Sequence, residues 1–130
     1  MPPSLTFNLD RLESFLKLQP ADIVPVFEFR HRSWYENATY ELLDRHGASF
    51  CAHDMPGSSS PRIATGRAAY VRFHGGQSKY WGRYAEDDLR EWAGWMRDQA
   101  HQGRAVWAYF NNDINADAIH DALALKDMIG

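Results

Sequence analysis

Ionisable and amide side chains follow each of four short apolar runs in this sequence. The runs are VPVFEFRHRSW from Val24, ASFCAHD from Ala48, AAYVRFHGG from Ala68 and AVWAYFNND from Ala105. Carboxylates and imidazoles transfer protons, and guanidinium groups hold phosphate or carboxylate with paired hydrogen bonds. These residue types at the ends of the runs predict a site for acid–base chemistry on an anionic substrate.

Helix-like stretches separate and follow these runs. The longest is expected from about Glu86 to Gln102, and the last one should turn Ile119 and Leu123 inward. Residues 55–66 are rich in Ser, Pro and Gly and predict the longest loop. Strands that alternate with helices indicate a parallel sheet, and such α/β folds build ligand sites where the strands end. The fold class is therefore α/β, with the chemistry at the carboxyl edge of the sheet.

Side chains two apart in a strand share a face of the sheet. One face should carry Phe27, Phe29, Val71, Phe73, Ala108 and Phe110 under the helices. The opposite face should carry Val26, Glu28, Arg30, Tyr70, Arg72, His74, Trp107, Tyr109 and Asn111. A doubly wound sheet covers both faces with apolar helices and rarely holds so many charged groups, whereas the lumen of a barrel ends in a polar site. The alternation therefore favours a (β/α) barrel whose lumen holds the charged residues.

The composition predicts one soluble domain. The chain has 130 residues, 45% of them hydrophobic and 24% charged, which is enough for one core and too few for two. A formal net charge of −3 argues against a general nucleic-acid scaffold but leaves room for a local basic site. Cys51 has no partner for a disulfide within the chain, and no apolar stretch is long enough to span a bilayer. The N-terminus lacks the order of a signal peptide, so we expect a cytoplasmic protein with no membrane partner.

Three motifs in a defined order carry a resemblance to a known family. They are EFRHRSW from Glu28, YVRFHG from Tyr70 with its continuation KYWGRY, and YFNND from Tyr109 before an Ala-rich helix. Together they resemble the C-terminal half of the YecE-like family, a domain of unknown function, over nearly the whole chain. The resemblance implies a TIM-type barrel and no agreed reaction, and it makes residues 1–130 a single domain.

The length suits only part of such a barrel. A closed (β/α)8 barrel typically needs about 250 residues, and the resemblance implies four further βα units before a Gln-Leu-Pro-Pro segment whose Leu corresponds to Met1. We therefore expect a truncated chain of about four βα units that forms a half barrel with a parallel sheet. One hypothesis is that it has no independent function. Its edge strands, Val24 to Arg30 and Ala105 to Phe110, would be uncovered and invite self-association.

Glu28 and His74 are the predicted proton-transfer groups. Their carboxyl and imidazole groups suit acid–base hydrolysis, and two glycines after His74 leave space for a substrate. Arg30 and Arg72 would hold the phosphate or carboxylate of that substrate. The same residues allow structural alternatives, since Glu28 could equally form a salt bridge that neutralises an arginine, and His74 could equally be structural.

Asp54 is the third catalytic candidate. It is adjacent to His53, and adjacent strand residues point to opposite faces, so at most one of the two faces the site. The position of Asp54 at the strand end matches the family, which favours it over His53. Glu28, Asp54 and His74 could also ligate a divalent metal, but their spacing is not diagnostic, and we predict no metal and no cofactor.

Aromatic and amide side chains complete the predicted site. Asn111 and Asn112 could bind substrate hydroxyls or phosphate, or cap the following turn. Trp34, Tyr84 and Tyr109 could stack on a base or sugar ring, although core packing is the commoner use of such residues. The favoured ligand is a small anionic or polyhydroxylated, sugar-like molecule. The alternative function is a non-catalytic domain that binds nucleotides or nucleic acid with the same arginine and aromatic residues.

Overall fold

Four parallel strands form a single sheet in the computed structural model, which describes residues 1–130. In chain order they are β1 (Val26–Phe27), β2 (Ser49–Asp54), β3 (Ala68–Phe73) and β4 (Ala105–Phe110). Each strand pairs with the next one along the chain, so the spatial order is β1-β2-β3-β4. The predicted α/β fold with a parallel sheet is confirmed.

Four helices pack on one face of this sheet. They are α1 (Leu9–Lys17), α2 (Asn37–Arg45), α3 (Glu86–His101) and α4 (Asp117–Ile129), and short 3₁₀ turns lie at Arg32–Trp34 and Ile114–Ala116. α1 begins where Asn8 Oδ1 accepts a hydrogen bond from the Arg11 N–H at 3.0 Å, which satisfies a free donor of the first turn. None of the four is both long enough and apolar enough to traverse a membrane.

β1 is shorter than the expected strand from Val24 to Arg30, and the predicted long loop before β3 is confirmed. β1 pairs with β2 over two residues only, and the chain beyond Phe27 continues without further ladder pairing. No helix follows β2, and residues 55–67 cross to β3 as a loop. Serine side chains hold this loop, because Ser60 Oγ accepts from the His53 N–H at 2.9 Å and Ser59 Oγ accepts from the Met55 N–H at 3.1 Å.

The apolar core lies between the sheet and the helices. One cluster joins α1 and α2 to β1 and β2, and it includes Leu12, Leu16, Phe27, Phe29, Leu43 and Phe50. A second cluster joins α3 and α4 to β3 and β4, and it includes Val71, Phe73, Leu89, Trp92, Met96 and Leu125. Phe73 stacks on Phe110 with ring centroids 4.4 Å apart. Five of the six strand residues expected under the helices therefore pack on the core, whereas Ala108 of the outer strand is exposed. The opposite face of the sheet stays open.

α4 turns a different face inward than predicted. Ala118, Asp121 and Leu125 are buried, whereas Ile119 and Leu123 are more than half exposed. The helix is rotated so that a carboxylate, not an aliphatic side chain, points toward the loop before α3. Hydrogen bonds to that carboxylate offset the cost of burying it.

Candidate functional site

Glu28 lies at the centre of a charged cluster on the open face of the sheet, and its side chain is 10% exposed. Arg30 Nε donates to Glu28 Oε1, and Arg72 Nη1 donates to Glu28 Oε2 at 2.8 Å. His74 Nε2 is 3.7 Å from Glu28 Oε1, just beyond hydrogen-bonding distance. The strand ends therefore bring one carboxylate, two guanidinium groups and one imidazole together on one face, where strand alternation placed them.

The electrostatics of the cluster keep Glu28 ionised. Burial alone raises the pKa of the Glu28 carboxyl, but the neighbouring His74 imidazole and the positive charges of Arg30 and Arg72 outweigh burial. The net result is a pKa well below the usual range of a glutamate. Such a carboxylate is a weak base and carries no proton at neutral pH. The geometry therefore supports the salt-bridge alternative, in which Glu28 anchors two arginines.

An ionised Glu28 makes the stability of the fold depend on pH. The pKa of Glu28 is lower in the folded chain than its ordinary value of 4.5, so the unfolded state binds more protons in acid. The stabilisation from Glu28 is present above pH 4.5 and is lost as the pH falls below it. We expect Glu28→Gln to cost about 1 to 3 kcal/mol at pH 7 and less at pH 3. Urea unfolding of both proteins at the two pH values measures this, and an equal cost at both would contradict an ion pair at Glu28.

His53, not Asp54, shares the open face with the cluster. In the register of β2 and β3, His53 lies opposite Arg72. Asp54 lies opposite the core residue Phe73, and its Oδ1 accepts a hydrogen bond from Ser59 Oγ at 2.8 Å. The prediction that Asp54 faces the site is wrong, because residues paired across neighbouring strands point to the same side of the sheet.

The imidazoles of His53 and His74 are buried side by side, with ring centroids 6.2 Å apart. His53 Nε2 is 2.6 Å from the carbonyl oxygen of Ser58, and burial lowers the pKa of His53, so this ring is neutral at pH 7. His74 makes no hydrogen bond within the protein through either ring nitrogen, and the Tyr80 ring packs edge-on against it at 5.6 Å. Both ring nitrogens of His74 are therefore unpaired in a fully buried position beneath the 75–84 loop.

Arg72 is held by two neighbours and still reaches solvent. Its Nη1 donates to Glu28, and when the carboxamide oxygen of Asn111 is turned toward it, its Nη2 donates to that oxygen at 2.7 Å. Tyr109 lies opposite Arg72 on β4 and stacks on Tyr70 with ring centroids 5.1 Å apart. The Arg72 side chain is 36% exposed, and a guanidinium has five N–H groups, so donors remain for an anion.

Trp34 lies outside this site, contrary to the prediction. Its indole is buried against the core, stacked on Phe29 with ring centroids 4.7 Å apart. Its Nε1 donates to the Leu5 carbonyl oxygen at 2.8 Å, so its polar atom is also used within the fold. The 3₁₀ turn after β1 directs the ring into the core, and the aromatic residue that does lie beside the arginines is Tyr109.

Tyr84 and Asn112, two of the predicted substrate-binding residues, hold the loop of residues 75–84. Tyr84 Oη accepts from the Gly75 N–H at 3.1 Å, and burial raises the pKa of Tyr84 above its usual range. Asn112 is fully buried, and its Nδ2 donates to the Gly82 carbonyl oxygen at 3.0 Å and to Asp121 Oδ2 at 2.8 Å. Both side chains therefore help to fasten the loop, although Asn112 Oδ1 has no partner within the protein, and their contact with a substrate stays a prediction.

Asp121 is the buried polar residue that the sequence reasoning missed. It accepts from Arg83 Nε at 2.6 Å, from the Tyr84 N–H at 3.1 Å and from Asn112 Nδ2. In the sequence, Asp121 follows Ala118 by three residues and precedes Leu125 by four, and this spacing places all three on one face of the helix. This network fastens the 75–84 loop to α4, and Tyr80 of the same loop packs on the buried His74 ring.

The residues considered as metal ligands do not form one set. Glu28 and His74 lie together, but Asp54 points to the opposite side of the sheet. No group of three or more His, Cys, Asp or Glu side chains is arranged to hold a metal ion. Cys51 Sγ is 3.7 Å from Glu28 Oε2, and burial raises the pKa of its thiol, which makes it a poor nucleophile at neutral pH.

The whole chain matches the model of one protein family. The family model described as "Protein of unknown function DUF72" matches residues 1–130. A curated relative, the UPF0759 protein YunF of Bacillus subtilis (strain 168), is 25% identical over 138 residues, which cover 87% of this chain and 49% of the relative.

Two solved structures share the fold. A DUF72 family protein from Thermotoga maritima matches with a TM-score of 0.85 and 29% identity, over 99% of this chain and 55% of that chain. A DUF72 family protein from Enterococcus faecalis matches with a TM-score of 0.79 and 16% identity, over 99% of this chain and 56% of that one, and this likeness concerns the fold alone. These neighbours are TIM-barrel-like, which confirms the barrel-type α/β class. The chain spans about half the length of the relatives it matches.

Proposed function

The chain belongs to the DUF72 family of proteins of unknown function, and we propose that its strand-end site binds the phosphate or carboxylate group of a small substrate. The observation that carries this proposal is the fixed, accessible guanidinium of Arg72, anchored 2.8 Å from Glu28 and still 36% exposed. A guanidinium that is already oriented loses little freedom when it takes an oxyanion with two hydrogen bonds. Membership of the YecE-like branch and a cytoplasmic location belong to the same proposal, supported by the three motifs and the lone buried Cys51.

The charge of the cluster favours an anion. One carboxylate, Glu28, lies between the guanidinium groups of Arg30 and Arg72, so the group carries an excess positive charge. Asn111 adds an amide beside Arg72 that can bind a substrate hydroxyl or phosphate oxygen. A small anionic or polyhydroxylated molecule matches this set of donors.

The proposed reaction is acid–base hydrolysis with His74 as the proton-transfer group. His74 replaces Glu28 in this role, because Glu28 is held ionised by two arginines while both ring nitrogens of His74 are unpaired. His74 is fully buried, so the 75–84 loop has to open to admit the substrate. A neutral imidazole can accept a proton from water at one nitrogen, and a protonated imidazole can return it to a leaving group. Arg72 would stabilise the charge that develops on the substrate.

Inorganic phosphate tests the anion site. We expect Arg72→Ala to weaken phosphate binding by about 10- to 150-fold, because it removes a charge-assisted contact worth about 1.5 to 3 kcal/mol. Lys79→Ala removes the same charge from an exposed position on the 75–84 loop and should weaken binding by less than about fivefold. Titration calorimetry on the 130-residue chain and the two variants measures both effects.

Equal losses of phosphate affinity in the two variants would contradict a specific phosphate site at Arg72. Phosphate would then respond to diffuse charge, and the assignment of Arg72 as the anion ligand would fail. A circular dichroism spectrum of each variant that matches the wild type ensures that the comparison concerns binding and not folding.

A non-catalytic nucleotide-binding role is the second candidate. The observation that favours it is the stacked pair Tyr70 and Tyr109 beside Arg72, since an exposed aromatic ring next to a phosphate ligand can also take a base. The same titration with adenosine monophosphate separates the two roles. Binding no tighter than that of inorganic phosphate would leave the nucleotide role without support.

A further inference from the structure

The outer edge of β4 is free, and the outer edge of β1 is free at Val24 and Val26. Just beyond β1, the Met1 N-terminus donates a hydrogen bond to the Glu28 carbonyl oxygen at 2.8 Å. In β1, the Pro25 carbonyl oxygen accepts a hydrogen bond from the Ser49 N–H at 2.9 Å. The backbone groups of its neighbours Val24 and Val26 therefore point away from β2, because successive residues of a strand direct these groups to alternate sides. The proline thus leaves the free edge of β1 able to donate and accept hydrogen bonds.

The free edge of β4 has the same character. The Ala105 N–H donates to the Arg67 carbonyl oxygen at 3.1 Å, on the β3 side. The backbone groups of Val106, Ala108 and Phe110 consequently point to the other side, where no strand lies. An uncovered row of donors and acceptors on a parallel sheet is a template for another strand.

The exposed large apolar side chains gather at these two edges. Six lie on the β1 side, namely Met1, Phe15, Leu18, Ile23, Val24 and Val26. Five lie on the β4 side, namely Trp107, Tyr109, Ile114, Ile119 and Leu123. Outside the two edges only Tyr80 and Trp81 of the 75–84 loop are so exposed. Apolar groups concentrated along two edges indicate surfaces that another chain covers.

We propose that a second copy of this chain covers both edges at once. A two-fold axis along the centre of the half barrel places β4 of each copy beside β1 of the other, with all strands parallel. One symmetric contact thus pairs both free edges of both copies and closes an eight-stranded barrel. The lower part of the open face, with Val26 and Trp107, becomes the packed lumen, while Arg72 and Tyr109 lie nearer the strand ends at its mouth.

The helices fit this closure in number and in chemistry. Each copy supplies four helices, because α1 precedes β1 and no helix follows β2, so the dimer has one helix for every strand. α4 of one copy then lies beside α1 of the other. Ile119 and Leu123 of α4 and Phe15 of α1 are each more than half exposed, which provides apolar surface for that contact.

The solved relatives show that this half has the curvature of a barrel. The Thermotoga maritima protein contains the same arrangement at a TM-score of 0.85, and the match uses 55% of its chain. In that barrel-like fold the remaining residues of the protein lie beyond the matched half.

Sedimentation velocity on the 130-residue chain at micromolar concentration tests the proposal. We expect a single species with twice the 15.0 kDa mass of the chain. Trp107→Lys places a charge in the lumen of the dimer and should raise its dissociation constant by about 30-fold or more. Trp81→Lys is the matched control on the loop, away from both edges, and should leave the dimer intact.

Ala108→Pro is a second variant that acts on the backbone. It removes an N–H that points to the free edge of β4, so pairing with β3 stays intact while pairing with the second copy weakens. Circular dichroism identifies any variant that has unfolded. A folded wild-type monomer, a mixture of larger species, or folded Trp107→Lys and Ala108→Pro variants that still dimerise would each overturn the proposal.

Discussion

Asp121→Ala is expected to lower the free energy of unfolding by about 3 kcal/mol. The substitution leaves the Tyr84 N–H and Asn112 Nδ2 without their acceptor in a fully buried position. The side chain of Arg83 is half exposed, so water replaces most of what its ion pair contributes. The main cost is therefore the desolvation of two unpaired hydrogen-bond donors.

Asp127→Ala is the control for this prediction. It removes the same carboxylate from an exposed position on the same helix, near the C-terminus where the helix dipole disfavours a negative charge. Its effect on stability should lie within about 0.5 kcal/mol. Urea unfolding followed by circular dichroism compares the variants, and a similar stability for both would mean that Asp121 does not fasten the 75–84 loop to α4.

Gly75→Ala is expected to cost about 3 kcal/mol and to disorder the loop that covers His74. Gly75 has a φ of +130°, a conformation that other residues adopt only with strain. An added Cβ would lie 2.1 Å from the Ser78 carbonyl oxygen and 2.9 Å from the Trp81 nitrogen, so the backbone would have to move. Because Gly75 also donates to Tyr84 Oη, this movement breaks a contact that closes the loop.

Gly94→Ala is the matched control, and its expected effect on the stability of the fold has the opposite sign. Gly94 lies within α3, and an added Cβ would meet nothing within 4 Å. Alanine there should stabilise the fold by up to about 1 kcal/mol, because it restricts the unfolded chain and favours the helix. Thermal unfolding gives the two stabilities, and amide hydrogen exchange at residues 75–84 shows whether the loop opens. Unchanged exchange in Gly75→Ala would contradict the role given to this glycine.

Sequence alone was sufficient for the architecture and for much of the cluster. Charged and apolar residues alternate from Val26 to Arg30 and at the end of β3, so Glu28 and Arg72 could be placed on one face. The same period of two, continued past β4, placed Asn111 with them. Parallel topology then required their strand ends to meet at one edge. The EFRHRSW, YVRFHG and YFNND motifs led to a barrel of unknown function, which agrees with the family that the chain belongs to.

β2 shows where the sequence could not decide. Every residue from Ser49 to His53 is buried, so the strand has no alternation of polarity from which its phase could be read. Only pairing with β3 determines that His53 lies with Arg72 and Asp54 with Phe73. When a strand is buried on both sides, its pairing with neighbouring strands decides which side chains face which side of the sheet. The residues of the strand itself do not reveal this.

The polar and aromatic residues beyond the strands depended on tertiary structure for a different reason. Trp34, Tyr84 and Asn112 have side chains suited to a ligand, but loops and a 3₁₀ turn direct them into the fold. Asp121 became a buried anchor because the rotation of α4 brings it to the 75–84 loop, 37 residues away along the chain from Tyr84. Residue types and strand periodicity thus determined which groups could do chemistry, whereas long-range packing decided which of them remain free to do it.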